Sequence, residues 1–109
     1  MACNLIPDVS GTVDFLTTTG ALVKVLVESN SATVHIVAAT LNSAPTPVSG
    51  GTVTFVAVAG TNLLSLALAG SDPAEDYQVK EDCGTGSSNV MGTGSLLDGP
   101  TRGFRIHAV

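Results

Sequence analysis

Two cysteines, two histidines and a group of late carboxylates are the side chains whose types could do chemistry. Cys3 and Cys83 lie eighty positions apart, which is not a metal-ligand spacing. Three interpretations stay open: a disulfide that ties the N-terminal segment to a late loop and implies an oxidising compartment, two unpaired thiols, or a lipid-modified Cys3. A disulfide across so long a loop would contribute about 4–5 kcal/mol in the chain-entropy description. A catalytic Cys83 is disfavoured, because the acids beside it oppose formation of its thiolate.

The carboxylates are concentrated in one stretch that holds five of the nine acidic residues: Asp72, Glu75, Asp76, Glu81 and Asp82. Oxygen-rich loops at one end of a β-sandwich can hold Ca²⁺, which takes about six to eight oxygen ligands. Asp72, Glu75 and Asp76 are therefore a calcium candidate. The stretch has no DxDxDG-type run and contains Lys80, so a solvated acidic turn without metal is the favoured interpretation.

The remaining motifs do not predict catalysis. His35 and His107 fall on predicted strands, and neither has the further ligands at a spacing that a zinc site needs. No GxSxG, SxxK or HExxH motif is present. Residues 84–89 read Gly-Thr-Gly-Ser-Ser-Asn, but a phosphate-binding loop needs a helix after it and no helical pattern follows. We therefore expect a flexible inter-strand loop there, no enzymatic activity and no cofactor.

The composition predicts one acidic domain that spans residues 1–109. The net charge is −5 and the chain has only four Lys and Arg residues, so no basic patch could neutralise phosphates. We therefore expect no nucleic-acid partner. No apolar run approaches the roughly 18 residues that span a bilayer, so we expect no transmembrane segment.

The surface must be kept in water mainly by uncharged side chains. Charged residues are 12% of the chain, about half the usual share, whereas hydrophobic residues are 44%. A surface of Thr, Ser, Asn and Gly is typical of secreted, lattice-forming or self-associating proteins, which favours an extracellular or cell-surface location. Met1-Ala2 is too short to be a secretion signal, so a cytoplasmic chain or a mature segment are the two expectations for the start.

Short alternating segments separated by turn signals predict an all-β fold, a single antiparallel sandwich of seven to nine strands. Two apolar runs, Thr52–Ala59 and Leu63–Ala69, flank Gly60-Thr61-Asn62 and predict a β-hairpin with Leu64, Leu66 and Leu68 facing inward. Ala21–Glu28 is apolar on both faces, which suits a central strand. Other inward sets are predicted on the same alternation: Val34, Ile36 and Ala38; Tyr77 and Val79; Phe104, Ile106 and Ala108.

One stretch carries a family resemblance. Leu68, Gly70, Pro73, Tyr77 and Val79 stand at the offsets found at the E–F corner of fibronectin type III domains, and the stretch is similar to that corner. The resemblance implies an immunoglobulin-like sandwich without catalytic residues. It also implies a tyrosine ring packed in the core, with its hydroxyl bonded to upstream backbone near residues 72–74. Ser71 departs from the family pattern, and the usual core Trp is missing.

These observations favour a non-enzymatic extracellular or surface-associated module, either binding or structural. It would present end loops, Asn42–Gly51 and Gly84–Leu97, to a protein or a glycan. One alternative is a self-assembling structural subunit, as in a surface layer, a fimbria or a virion decoration, because the two-faced strand Ala21–Val27 needs cover on both sides. Another is a small protein inhibitor or enzyme that acts through a loop.

Overall fold

The computed structural model describes residues 3–31 and 33–109 and arranges them as two β-sheets around one hydrophobic core. Met1-Ala2, on which we based an expectation about the start of the chain, lies outside the described residues. The strands are β1 (Ile6–Pro7), β2 (Phe15–Thr17), β3 (Leu22–Ser29), β4 (His35–Leu41), β5 (Ala44–Thr46), β6 (Val48–Ser49), β7 (Thr52–Val56), β8 (Gly60–Ala69), β9 (Asp76–Gly84), β10 (Ser87–Ser95) and β11 (Thr101–Ala108). A single 3₁₀ turn, Leu96–Asp98, precedes β11. No helix in this described portion has the length and apolarity required to cross a membrane.

The all-β prediction is confirmed, but the predicted purely antiparallel pairing is wrong. The first sheet has the order β1-β2-β11-β8-β4-β5, and the second has the order β10-β9-β3-β7-β6. Strand β2 runs parallel to β11, so the first sheet is mixed. The described residues form eleven strands rather than seven to nine, because four short strands of two or three residues add to the seven longer ones.

The predicted hairpin between Thr52–Ala59 and Leu63–Ala69 is wrong, because its two arms lie in different sheets. Strand β7 pairs with β3 and β6, whereas β8 pairs with β11 and β4. Asn62 stabilises the crossing: its Oδ1 accepts the Val58 N–H at 3.0 Å, and its Nδ2 donates to the Val58 carbonyl at 2.8 Å and to the Ile106 carbonyl at 3.2 Å. The side chain, 0% exposed, thus replaces the backbone bonds that a hairpin would have supplied.

The predicted inward faces are mostly confirmed. The buried set includes Leu64, Leu66, Leu68, Tyr77, Val79, Phe104, Ile106 and Ala108. Strand β3 is central, as predicted, with β9 on one side and β7 on the other. Strand β4 differs from the expectation, since a register shift between Ile36 and Ala38 buries Ala39 and exposes Ala38. A bulge of this kind inserts one residue and reverses the alternation after it.

Neither predicted end loop is a loop. Gly84–Leu97 contains the whole of β10, which pairs with β9 through a tight turn at Thr85-Gly86. Positive φ angles at Gly84, Thr85 and Gly86 make that turn. Asn42–Gly51 holds β5 and β6 and passes from one sheet to the other. The sequence did not predict β10 because Gly and Ser have a low β-propensity. The strand forms nevertheless, since backbone hydrogen bonds to β9 hold it and these do not depend on the side chains.

Tyr77 lies where the chain passes from β8 in the first sheet to β9 in the second. Its ring packs in the core and is 2% exposed, as expected. The expected bond from its hydroxyl to backbone near residues 72–74 is wrong. The hydroxyl oxygen instead accepts a hydrogen bond from Arg102 Nη1 at 3.2 Å.

Candidate functional site

The N-terminal segment is tied to the sandwich covalently and by a buried carboxylate. Cys3 and Cys83 form a disulfide with their Cα atoms 4.9 Å apart, which is the first of the three interpretations of these cysteines. Glu81 faces inward and is 1% exposed. Its carboxylate accepts the backbone N–H groups of Asn4 at 2.9 Å and Leu5 at 3.1 Å. Within the described residues, the one group of three side chains that could together hold a metal ion is Cys3, Glu81 and Cys83, but the disulfide occupies both sulfurs.

The acidic turn holds two connections together through hydrogen bonds to Glu75. Glu75 accepts the Thr33 hydroxyl at 2.6 Å and the Ser31 N–H at 2.5 Å, so it joins the β8–β9 connection to the β3–β4 connection. The hydrogen bond from Thr33, followed by that from Ser31, lowers the pKa of the Glu75 carboxyl. Asp72 accepts the Ala74 N–H, as in a local Asx turn. With Glu75 engaged in this way, the calcium candidate of Asp72, Glu75 and Asp76 stays a prediction.

The two histidines lie at opposite ends of the first sheet. His35 pairs with Ala69 and His107 pairs with Thr61, on the same central strand β8. Eight residues of strand separate these partners, which is about 27 Å. His35 and His107 therefore cannot share a ligand.

Strand β10 is the long open edge of the molecule. The other three edge strands are short, and two of them carry proline: β1 and β6 have two residues each, and β5 has three. The nine residues of β10 include no proline and no charge. Short length, proline and charge are three of the devices by which proteins prevent strand addition at an edge. Strand β10 has none of these three and spans about 30 Å, and its protection is limited to two register shifts, between Ser87 and Ser88 and between Val90 and Gly92.

A bulge in β10 leaves space for an arginine from the opposite sheet. The register of β10 shifts between Val90 and Gly92, and after this shift the positions that face the core are Gly92 and Gly94, which have no side chain. A Cβ on Gly92 would lie 2.7 Å from Arg102 Nη2, and one on Gly94 would lie 3.1 Å from Arg102 Nη1. The guanidinium therefore fills the volume that two side chains would otherwise occupy.

Arg102 links the two sheets through Nη1, while its Nε and Nη2 have no hydrogen-bond acceptor among the described residues. Its Nη1 donates to the Tyr77 hydroxyl and, at 2.8 Å, to the Thr93 carbonyl. Its carbon Cζ lies 5.9 Å from the Tyr77 ring centroid and 5.7 Å from that of Phe104. The ion pairs among residues 3–31 and 33–109 are Lys80 with Glu28 and Arg105 with Asp14, so Arg102 has no carboxylate partner there. Within the described part of the chain no fully buried side-chain donor lacks a bond, so Nε and Nη2, which have none, are at least partly accessible to solvent.

A cleft of about 570 Å³ lies between β10 and the first sheet, and Arg102 lines it. Met91 and Phe104 contribute apolar wall, and the β1–β2 connection contributes Asp8 and Asp14. These two carboxylates are already engaged. Hydrogen bonds from the Val13 N–H and from Ser10 lower the pKa of the Asp8 carboxyl, and Asp14 accepts the Arg105 N–H at 2.8 Å.

A second concave surface, of about 530 Å³, lies on the outer face of the second sheet. Glu28, Gln78 and Thr93 line it at the places where β3, β9 and β10 run side by side. It is polar, and Lys80 neutralises Glu28 at 3.0 Å. The Thr93 side chain thus stands between this groove and the open edge.

Sequence reasoning missed Arg102, Glu81 and the edge β10. Two signals were available. The alternation of β11 places Arg102 on the same face as Phe104 and Ile106, and the spacing of Gly92 and Gly94 leaves one strand face bare. Comparisons of the chain with protein-family models, with curated proteins and with solved structures found no match.

Proposed function

We propose that this chain is a non-enzymatic, extracellular protein-binding module of immunoglobulin-like type that takes an extended partner strand at the edge of β10. The observation that carries the proposal is the nine-residue edge without charge or proline, beside three edges that are too short or blocked. Strand addition gives affinity through backbone hydrogen bonds and specificity through the side chains beside the edge.

Strand order supports the immunoglobulin-like assignment. Strands β3-β7-β6 correspond to the order B-E-D, and β5-β4-β8-β11 correspond to C′-C-F-G. The hairpin β9–β10 is then an insertion between F and G that extends the B-E-D sheet. In this correspondence the stretch Leu68–Val79 follows strand F rather than strand E, so the topology supports the assignment and that stretch does not.

The location and the class of partner follow from two further features. A disulfide of this kind persists in oxidising compartments, which supports an extracellular or surface location. All four aromatic side chains, Phe15, Phe55, Tyr77 and Phe104, are buried. No aromatic face is left on which a sugar ring could stack, so a protein partner is favoured over a glycan.

A displayed library of random nine-residue peptides, selected against the oxidised protein, tests the proposal. Selected clones should lose at least about tenfold in affinity for Thr93→Lys, because a charge on an edge strand opposes strand addition. Gln78→Lys is the matched control: it adds the same charge on the same sheet face, but on the interior strand β9. Equal losses in both variants, or no clone above a blank selection, would refute edge binding. Turnover of a hydrolase substrate panel by a clean preparation would refute the non-enzymatic assignment.

A second candidate function is self-assembly into a structural array. Leu22 and Val56 stand directly opposite each other on the outer face of the second sheet and are 50% and 53% exposed. A partner copy covering this pair would satisfy the apolar second face of β3. Sedimentation across a wide concentration range tests it, because a strict monomer at all concentrations rules the array out in solution. If oligomers form, Val56→Lys should dissociate them, and Thr101→Lys, at an exposed position on the outer face of the first sheet, should not.

A further inference from the structure

We infer that the cleft beside β10 selects a partner strand that carries a carboxylate, and that Arg102 binds this carboxylate. The inference rests on the proposed function, since it adds a chemical preference to the same edge. It commits to one occupant: an extended peptide segment of another protein, with an acidic side chain or a C-terminal carboxylate beside an apolar side chain.

The unused hydrogen-bond donors of Arg102 argue for this occupant. Arg102 uses Nη1 for its two protein hydrogen bonds, which leaves three of the five guanidinium donors without a protein acceptor among the described residues. Nε and one N–H of Nη2 form the planar fork that binds a carboxylate through two parallel hydrogen bonds. Neither nitrogen atom is fully buried. In a chain with net charge −5, an arginine held in place without an acidic partner is an unused binding group.

One of the two carboxylates in the cleft has a countercharge. Asp14 is paired with Arg105 at 3.7 Å, whereas Asp8 accepts hydrogen bonds from Ser10 and Val13 in its own turn and keeps its charge. The two aspartates and the two arginines lining the cleft sum to a formal charge of zero. With Asp14 and Arg105 paired, Arg102 is the cation without an ion-pair partner among these four, and Asp8 is the remaining anion. The preference for a carboxylate therefore depends on the two-bond geometry of the guanidinium rather than on a net positive charge of the cleft.

Arg102 is also preorganised. The rings of Tyr77 and Phe104, the Thr93 carbonyl and the bare face of Gly92 and Gly94 hold the guanidinium in one place. Because its rotamers are already restricted, little conformational entropy is lost when the carboxylate binds. Met91 and Phe104 beside it offer apolar wall for a neighbouring side chain of the same peptide.

The peptides selected for edge binding provide the test. We expect Asp, Glu or a free C-terminus to be enriched at a fixed distance from an apolar residue. Replacing that acid by its amide, or amidating the C-terminus, should weaken binding to the wild-type protein by about tenfold to a hundredfold. The two peptide series separate a side-chain carboxylate from a terminal one. The same replacement should have no effect on binding to Arg102→Gln.

Arg102→Gln removes structural contacts as well as the charge, so a second variant is needed. Gly92→Ala keeps the charge and displaces the guanidinium, because the new Cβ would lie 2.7 Å from Nη2. Its control is Gly103→Ala, where the nearest atom is at 3.9 Å. Gly92→Ala should lose the preference for the acid over the amide, and Gly103→Ala should keep it.

The outcomes distinguish the carboxylate preference from edge binding itself. Clones that are sensitive to Thr93→Lys but bind equally well as acid and amide would overturn the carboxylate preference and leave edge binding intact. An acid preference that survives in both Arg102→Gln and Gly92→Ala would overturn the role of Arg102. Failure to select any clone would overturn edge binding and this inference together. Concentration-dependent dimers dissociated by Thr93→Lys would identify a second copy as the occupant and would overturn the choice of partner.

Discussion

At the scale of single residues, polar side chains at core-facing positions determine how the two sheets meet. Glu81 holds the N-terminal segment, Asn62 holds the crossing between β7 and β8, and Arg102 joins β11 to β10. A buried polar group is costly unless it is hydrogen-bonded, and each of these has partners distant in sequence. Such side chains favour one packing of the sheets over alternatives that would leave them unsatisfied.

Glu81→Gln should destabilise the protein by about 1–3 kcal/mol. The Asn4 and Leu5 N–H groups bond to different carboxylate oxygens, so the amide NH2 of Gln would face one of these donors and leave it without an acceptor. Urea denaturation of the oxidised protein measures the loss. Asp82→Asn is the control, since its oxygen can still accept the Gly84 N–H, and we expect a change within about 0.5 kcal/mol. Equal effects of the two variants would contradict the role assigned to Glu81.

Glu75 should make stability depend on pH below its ordinary pKa of 4.5. Its pKa is lowered in the folded protein, so the unfolded chain takes up the proton first as pH falls. The stabilisation is fully present above 4.5 and is lost as pH falls through the folded value. Glu75→Gln should therefore be less stable than wild type at pH 7, and the difference should shrink at acid pH. A difference that is constant from pH 7 to pH 3 would be inconsistent with stabilisation by the hydrogen bonds from Thr33 and Ser31 to ionised Glu75.

At the scale of elements, the connection between β7 and β8 shows how one side chain changes a topology. An alternating apolar pair around Gly and Asn is a hairpin signal, yet the two strands join different sheets. Asn62 supplies the hydrogen bonds that the backbone loses while it crosses. Strand β10 shows the converse, since pairing with β9 makes a strand from Gly and Ser.

Asn62→Ala should cost about 2–4 kcal/mol, because the Ile106 carbonyl and the Val58 groups lose a partner where water has little access. Asn42→Gly is the matched control. It removes one exposed bond to the Leu63 N–H and tolerates the positive φ of that position, so we expect a cost of about 0.5 kcal/mol. Thermal and urea denaturation both report the difference, and similar costs at the two positions would argue against the crossing role of Asn62.

At the scale of the whole molecule, the disulfide and the carboxylate of Glu81 fasten the same segment. Cys3 and Cys83 close a loop of 80 residues, so the bond acts on most of the unfolded chain. Asn4 and Leu5 then lie against Glu81 and close the side of the sandwich where β1, β2 and β10 approach each other. The cleft proposed for a partner strand has this fastened segment as its neighbour.

Reduction of the disulfide should lower the free energy of unfolding by about 2–5 kcal/mol. The measurement is urea denaturation with and without reductant. The Cys3→Ser/Cys83→Ser variant is the control, and its stability should not respond to reductant. Under non-reducing conditions the wild-type mass should be lower by two hydrogens than the reduced mass. An unchanged midpoint on reduction would show that the hydrogen bonds of Glu81 hold the segment by themselves.

The sequence by itself determined the all-β class, the inward leucines of β8, the central place of β3 and the buried ring of Tyr77. These follow from alternation, which depends on local geometry and on the burial of apolar side chains. Only the tertiary structure decided that β7 and β8 separate, that β2 runs parallel to β11, that residues 87–95 form a strand and that Arg102 lines a cleft with no carboxylate partner among the described residues. Those features depend on pairing between distant segments, and a local pattern carries no information about which segment will supply the other half of a backbone or side-chain hydrogen bond.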